Sequence, residues 1–150
     1  MSLIQNLENL LKQKQDRVDW NTYFSCLTLL ISSRSSCNRL HVECVLVKEN
    51  RVLSTGYNGF LANAPHKSIV INNHEQATVH AEQNAICYAA KNGISLNGAT
   101  AYVTHYPCLN CCKSLLSSGI TKINFLHNYK NDPLVDVFCK QLNVEINKIS

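Results

Sequence analysis

The sequence predicts a single α/β domain built on one mixed sheet with helices on its faces. Two β-rich segments, 41–47 and 51–57, are separated only by Lys48-Glu49-Asn50 and read as a hairpin. After them, helical and strand patterns alternate along the rest of the chain, which makes the sheet mixed. The chain has 150 residues, 45% apolar and 16% charged. That length and balance suit one domain with one core.

The elements follow in order. Leu3, Leu7, Leu10 and Leu11 mark a helical stripe over 3–13. A second helix runs over 20–32, started by Asp19 or Asn21, with Tyr23, Phe24, Leu27, Leu30 and Ile31 on its apolar face. The hairpin comes next. Residues 58–79 read as a loop with Gly59, Pro65 and a short apolar island at 69–71. Loops this long in a small domain are usually functional. Residues 80–91, rich in Ala, Glu and Gln and closed by Asn92-Gly93, form a helix. A strand at 99–104 leads to a helix opened by Pro107 and ending near Ser118-Gly119. A strand at 122–126, a helix at 134–141 and a last strand at 144–149 complete the chain.

Charge and cysteine usage narrow the function. The formal charge is +4 and the pI about 8.6, a mild basic excess that fits a phosphate-bearing ligand. No dense basic stripe and no aromatic–basic interleaving is present, so no long nucleic acid is expected. The longest apolar stretch, 26–31, is too short to cross a bilayer. The first nineteen residues are polar, without an apolar signal region. The expectation is a cytoplasmic protein with no membrane partner and reduced thiols. Its eight cysteines are then core fillers or metal ligands.

Two short motifs decide between those uses: His80-Ala81-Glu82 and Pro107-Cys108-Leu109-Asn110-Cys111. One imidazole and two thiolates are three ligands for a tetrahedral zinc, with one position left open. Cys108 and Cys111 fall in the first turn of a helix, where unpaired N–H groups and the helix dipole favour thiolates. His80 also begins a helix, so two helix starts converge on one metal. His80 and Glu82 are two positions apart and diverge on a helix side. They share a site only if the metal lies off the helix end. Either motif alone is weak. Together, in this order, they match the H-x-E and P-C-x-x-C signature of zinc deaminases. A structural zinc site is the rival, and it needs a fourth ligand such as His105 or Cys112.

Further segments carry a resemblance. The run Arg34-Ser35-Ser36-Cys37-Asn38-Arg39, the turn Ser54-Thr55-Gly56-Tyr57-Asn58-Gly59, the helix start His80-Ala81-Glu82-Gln83-Asn84-Ala85-Ile86 and the strand 98–104 resemble segments of the cytidine/deoxycytidylate deaminase superfamily. Within it they look most like the deoxycytidylate deaminase branch. The likeness spans roughly 34–129. All branches share the metal motif, whereas Gly-Tyr-Asn-Gly with Asn-Ala-Ile is more specific to this one.

The resemblance implies a three-layer α/β/α sandwich. It implies hydrolysis of dCMP to dUMP with release of ammonia, supplying dUMP for thymidylate synthesis. It implies one catalytic zinc on His80, Cys108 and Cys111, with Glu82 as proton shuttle. Asn58 matches the turn asparagine that binds the sugar, and Tyr129 a tyrosine near the nucleotide. Backbone groups near Ala81 and Tyr106 would hold the base edge. Arg34 and Arg39 are the candidate phosphate contacts, because a guanidinium matches phosphate geometry. The resemblance also implies a homo-oligomer, a hexamer in many members, and dCTP or dTTP as regulators. Lys91 stands where the family can carry an arginine linked to that regulation.

Several positions depart from the family pattern. Glu43 replaces a glycine close to the site, where a carboxylate would crowd a nucleotide or repel a phosphate. Tyr106 replaces a smaller residue. Thr78 stands where members with a second, structural zinc carry a histidine. His66 and His74 lie in the loop where extra ligands sometimes occur, and one zinc is expected. Cytidine, dCTP, guanine and a polynucleotide base are the alternative substrates. A non-catalytic zinc protein of the same fold is the alternative outside enzymes, and Glu82 argues against it.

Overall fold

The computed structural model describes residues 1–37 and 39–150. Asn38, part of the run singled out above, lies outside the described residues. Helix α1 (Leu3–Lys12) opens with a capping box between Ser2 and Gln5 and buries none of its residues. Helix α2 (Trp20–Ser32) is capped by Asp19, whose carboxylate accepts the Thr22 N–H at 3.0 Å and its hydroxyl at 2.7 Å. Strands β1 (Glu43–Lys48) and β2 (Arg51–Tyr57) form the expected hairpin. Its two-residue turn, Glu49-Asn50, has φ of 50° and 58°. Positive φ at both positions matches the right-handed twist of the strands.

The 58–79 segment differs from the plain loop expected. It holds β3 (Gly59–Phe60) paired with β6 (Thr78–Val79), and β4 (Val70–Ile71) paired with β5 (His74–Glu75). Two-residue ladders are too short to leave a periodic signal. They are held instead by Asn72 and Asn73, with φ of 50° and 62°, and by Glu75. Its carboxylate accepts the N–H groups of Ile69 (3.0 Å) and Ala77 (2.8 Å) and the Ser68 hydroxyl.

Helix α3 (Ala81–Lys91), β7 (Thr100–His105), α4 (Leu109–Ser117), β8 (Lys122–His127), α5 (Pro133–Gln141) and β9 (Glu145–Lys148) complete the chain. The main sheet runs β2-β1-β7-β8-β9. Strand β1 is antiparallel to both neighbours, and β7, β8 and β9 are parallel. Cys44, Leu46, Ala101, Val103, Ile123 and Phe125 pack against Ala81, Ala85, Ala89, Leu115 and Val135 of α3, α4 and α5. On the other face Val45, Val47 and Tyr102 pack against Phe24 of α2. Alternation along β1 and β7 therefore splits the core into two layers, and the domain is the three-layer α/β/α sandwich.

One helix start needs correction. Pro107 does not open α4. Cys108 is its N-cap, with the sulfur accepting the Cys111 N–H at 3.4 Å. Proline sits one residue outside the cap.

Candidate active site

The site forms where α3 and α4 begin, beside the ends of β1 and β7. Strand β2 fixes α3 by two side chains. The Ser54 hydroxyl donates to the Ala85 carbonyl at 2.6 Å, and the Asn84 amide donates to the Tyr57 carbonyl at 2.7 Å. His80 is the N-cap of α3 and makes no capping bond with its side chain. Its ring is therefore free to turn toward α4.

There it meets both cysteines. His80 Nδ1 lies 3.7 Å from Cys108 Sγ and 3.4 Å from Cys111 Sγ, and the three ligand atoms lie within 4.8 Å of one another. A tetrahedral zinc with Zn–S of about 2.3 Å and Zn–N of about 2.0 Å sets the sulfur–nitrogen edge near 3.5 Å. The observed edges bracket that value, so the donor set fits zinc in type and size. The ligating nitrogen is Nδ1, a detail that spacing alone cannot give. The thiols already differ. Cys111 donates to Cys108, which with His80 and the Cys111 N–H brings the Cys108 thiol down to about 4. Cys111, as donor, is pushed up. His80 is raised, first through its bond to Cys108. A bound dication deprotonates both cysteines and the histidine.

Glu82 is 4% exposed, and burial is the main cause that raises its carboxyl above the ordinary range. With His80, Ala81 and Cys108 it lines a cavity of about 510 Å³. Arg39, Asn58, Tyr106 and Tyr129 line the same cavity, and Arg34 does not. Arg34 lies exposed in the turn after α2. Tyr106 packs its ring edge-on to Phe125 in the core, 5.0 Å between centroids. Its N–H is taken by the His127 carbonyl at 2.8 Å, so its carbonyl is the backbone group left for a ligand.

Asn58 is heavily engaged. Its Oδ1 accepts the Ser35 hydroxyl (2.6 Å) and the Val42 N–H (2.9 Å), and its Nδ2 donates to the Leu40 carbonyl (2.6 Å). It ties the 35–42 segment to the wall of the cavity. Leu40, Val42, Gln76, His105 and Lys130 also line the cavity. Sequence reasoning passed over Leu40, Gln76 and Lys130, because none belongs to a motif.

Among the described residues, neither fourth-ligand candidate of a structural zinc joins the His80, Cys108 and Cys111 group. Cys112 is buried in the core, 3.9 Å from Cys139, and His105 Nδ1 contacts Thr104 Oγ1 at 2.9 Å. His66 stacks on Phe60, while His74 and Thr78 line the cavity. Glu43 does not line it. Its side chain is fully buried, and among the described residues neither carboxylate oxygen has a hydrogen-bond partner. Burial outweighs the pull of the nearby Cys44 and Gly56 N–H groups and pushes its carboxyl up to about 9.

Two helix starts holding a His-Cys-Cys group, with a buried carboxyl beside it, define a metal-assisted hydrolytic site. The chain belongs to the cytidine and deoxycytidylate deaminase family, whose zinc-binding region matches residues 18–127. It is 37% identical over 138 residues to ComE operon protein 2 of Bacillus subtilis, covering 89% of this chain and 73% of that one. It is 31% identical over 163 residues to the deoxycytidylate deaminase of Enterobacteria phage T2, covering 80% of this chain and 87% of that one. Among solved structures it is similar to the dCMP deaminase of cyanophage S-TIM5 in complex with dCMP and dUMP. That match has a TM-score of 0.80 and 28% identity, over 90% of this chain and all of that one.

Proposed function

We propose that this cavity hydrolyses dCMP to dUMP and ammonia. The observation that carries the reading is a buried Glu82 two residues from His80, in a nucleotide-sized cavity that also reaches Cys108. Zinc, when bound, supplies a Lewis acid that makes water nucleophilic at neutral pH. Glu82 would take one proton from the attacking water and pass it to the cytosine N3, then take the second from the hydroxyl now on C4 and pass it to the amine as the C4–N bond breaks. Its burial suits the task, because it raises the carboxyl above its ordinary range, so that it holds a proton more readily than an exposed glutamate does. The backbone at Ala81 and the Tyr106 carbonyl face the base edge, while Asn58 and Tyr129 bound the nucleotide. Arg39 is the phosphate contact, and Arg34 lies outside the cavity.

The site residues form one working unit in a single domain spanning 1–150. The same reading makes the protein a cytoplasmic homo-oligomer open to regulation by dCTP and dTTP. Among the described residues no helix is long and apolar enough to cross a membrane. Leu3, Ile4, Leu10 and Leu11 of α1 are exposed, which supports association between copies.

The test is ammonia release from dCMP, dCTP, deoxycytidine, CMP and cytidine, measured side by side with a Glu82→Ala control. A clear preference for dCMP with an inactive control is the expected result. Full activity in the control would sink the assignment of Glu82.

A further inference from the structure

His105 ends β7 at the cavity wall, and the chemistry above leaves it without a role. Its ring lies 5.4 Å from that of His127 and 5.8 Å from that of Tyr129, edge-on to the latter at 78°. Its Nδ1 lies 2.9 Å from Thr104 Oγ1. Counting donors and acceptors settles which atom carries the proton. Thr104 is buried, and its oxygen already accepts the backbone N–H of Glu43 at 3.1 Å. Among the described residues His105 Nδ1 is the one acceptor in reach of its hydroxyl proton. A buried hydroxyl proton left unpaired is costly, so Thr104 donates to Nδ1. The neutral ring then carries its own proton on Nε2. Burial, and then His127, hold the imidazole below its ordinary pKa, which keeps it neutral.

Nε2 has no protein partner among the described residues, on a ring that lines the cavity. Arg39 and Lys130 are the permanently cationic side chains of the same lining. Lys130 Nζ sits 5.5 Å from the centre of the Tyr129 ring, the ring that His105 meets edge-on. They supply charge, which attracts a phosphate without fixing its direction. A neutral N–H held by Thr104 supplies direction.

We propose that His105 is a specificity-determining residue that donates its Nε2–H to a 5′-phosphate oxygen of the nucleotide, with Thr104 as the positioning residue that sets its tautomer. This rests on the reading of the cavity as a dCMP site.

The test compares kcat/KM for dCMP with that for deoxycytidine. His105→Ala lowers the dCMP-to-deoxycytidine ratio by about tenfold or more, as expected for a hydrogen bond to a charged group. His105→Gln, which keeps an N–H of similar reach, restores part of it. Thr104→Val lowers the ratio less, and Thr104→Ser restores it. Nitrogen-15 spectra of the wild type, with His105 assigned by difference, show an Nε2-protonated ring. Thr104→Val loses that signature.

A His105→Ala ratio within twofold of wild type, or an Nδ1-protonated ring, overturns the His105 assignment alone. Wild-type protein that deaminates deoxycytidine but not dCMP overturns the nucleotide reading with it.

Discussion

Gly56 lies so close to Ala81 that a Cβ built on it would stand 2.4 Å from the Ala81 carbonyl oxygen. The same atom would stand 2.5 Å from the Ala85 nitrogen and 2.9 Å from the Asn84 Cβ. The glycine of the Ser-Thr-Gly-Tyr-Asn-Gly turn is therefore there for close approach: it lets the first turn of α3 rest on β2. Ser54 and Asn84 then bond across that contact. The strand and the His-Ala-Glu helix form one docked unit, and the dock sets where His80 and Glu82 point.

Gly56→Ala tests this. Two of the clashing atoms are backbone, so α3 must shift. Overpacking of this kind costs about 1–3 kcal/mol or more. The expected outcome is a lower Tm together with weaker zinc binding in a competition titration. A variant that loses stability but holds zinc as tightly as wild type would show that the ligands do not depend on the dock.

Asn58 gives a second prediction. Its amide makes three bonds to the 35–42 segment and the chain beside it. Asn58→Ala leaves the part-buried Val42 N–H and Leu40 carbonyl without this partner, while Ser35 keeps its bond to the Asn58 backbone carbonyl. It should cost about 1 kcal/mol, with KM for dCMP raised as the wall loosens. Asn58→Asp keeps the acceptor for Ser35 and Val42 but sets a carboxylate against the Leu40 carbonyl, so it should recover only part of the stability. Calorimetry of the two variants separates a wall-building role from one confined to the substrate. The latter would leave Tm untouched.

The zinc group yields a reactivity prediction. In metal-free protein Cys108 is an exposed thiol brought down to about 4 by Cys111 and His80. It is ionised throughout the range above that value, and the thiolate is the nucleophile. Iodoacetamide at pH 6 should label Cys108 first, as mapped by mass spectrometry. Zinc should protect it, and a chelator should both restore labelling and lower Tm, because metal binding couples to folding.

Much of this was legible in the sequence, and the reasons for what was not are physical. The bounds of α2 and β2 were legible from the Asp19 cap and from a β-rich run bounded by Asn50 and Asn58, but their buried faces were not. Helix α2 buries Phe24, Ser25 and Thr28 and leaves Tyr23 and Leu30 exposed, and β2 buries Ser54 and Gly56. The metal ligands were legible because their chemistry needs fixed residue types at helix starts. The small ladders of 58–79 were not, since asparagines with positive φ and the Glu75 carboxylate hold them rather than apolar spacing. Asn58 read as a sugar contact. Its three bonds to residues far along the chain appear only once the fold brings them together. Arg34 and Arg39 look alike in sequence, yet only Arg39 reaches the cavity. His105 entered as a spare metal ligand, and the Thr104 hydroxyl that orients it sits next to it unremarked.

Glu43 gives the last prediction. Both its oxygens are buried and have no partner among the described residues, and burial pushes the carboxyl up to about 9 from an ordinary value of 4.5. The folded protein therefore keeps this proton while the unfolded chain has lost it. Between those two values the native state binds more protons, so stability falls as pH rises. One such group contributes at most about 1.4 kcal/mol per pH unit across that window. Glu43→Gln removes the proton exchange. The difference in unfolding free energy between variant and wild type should move in the variant's favour from pH 5 to pH 9, read from urea melts at each pH. A difference that stays flat across that range would mean that the Glu43 carboxyl is ionised in the folded protein, held by the Cys44 and Gly56 N–H groups after all.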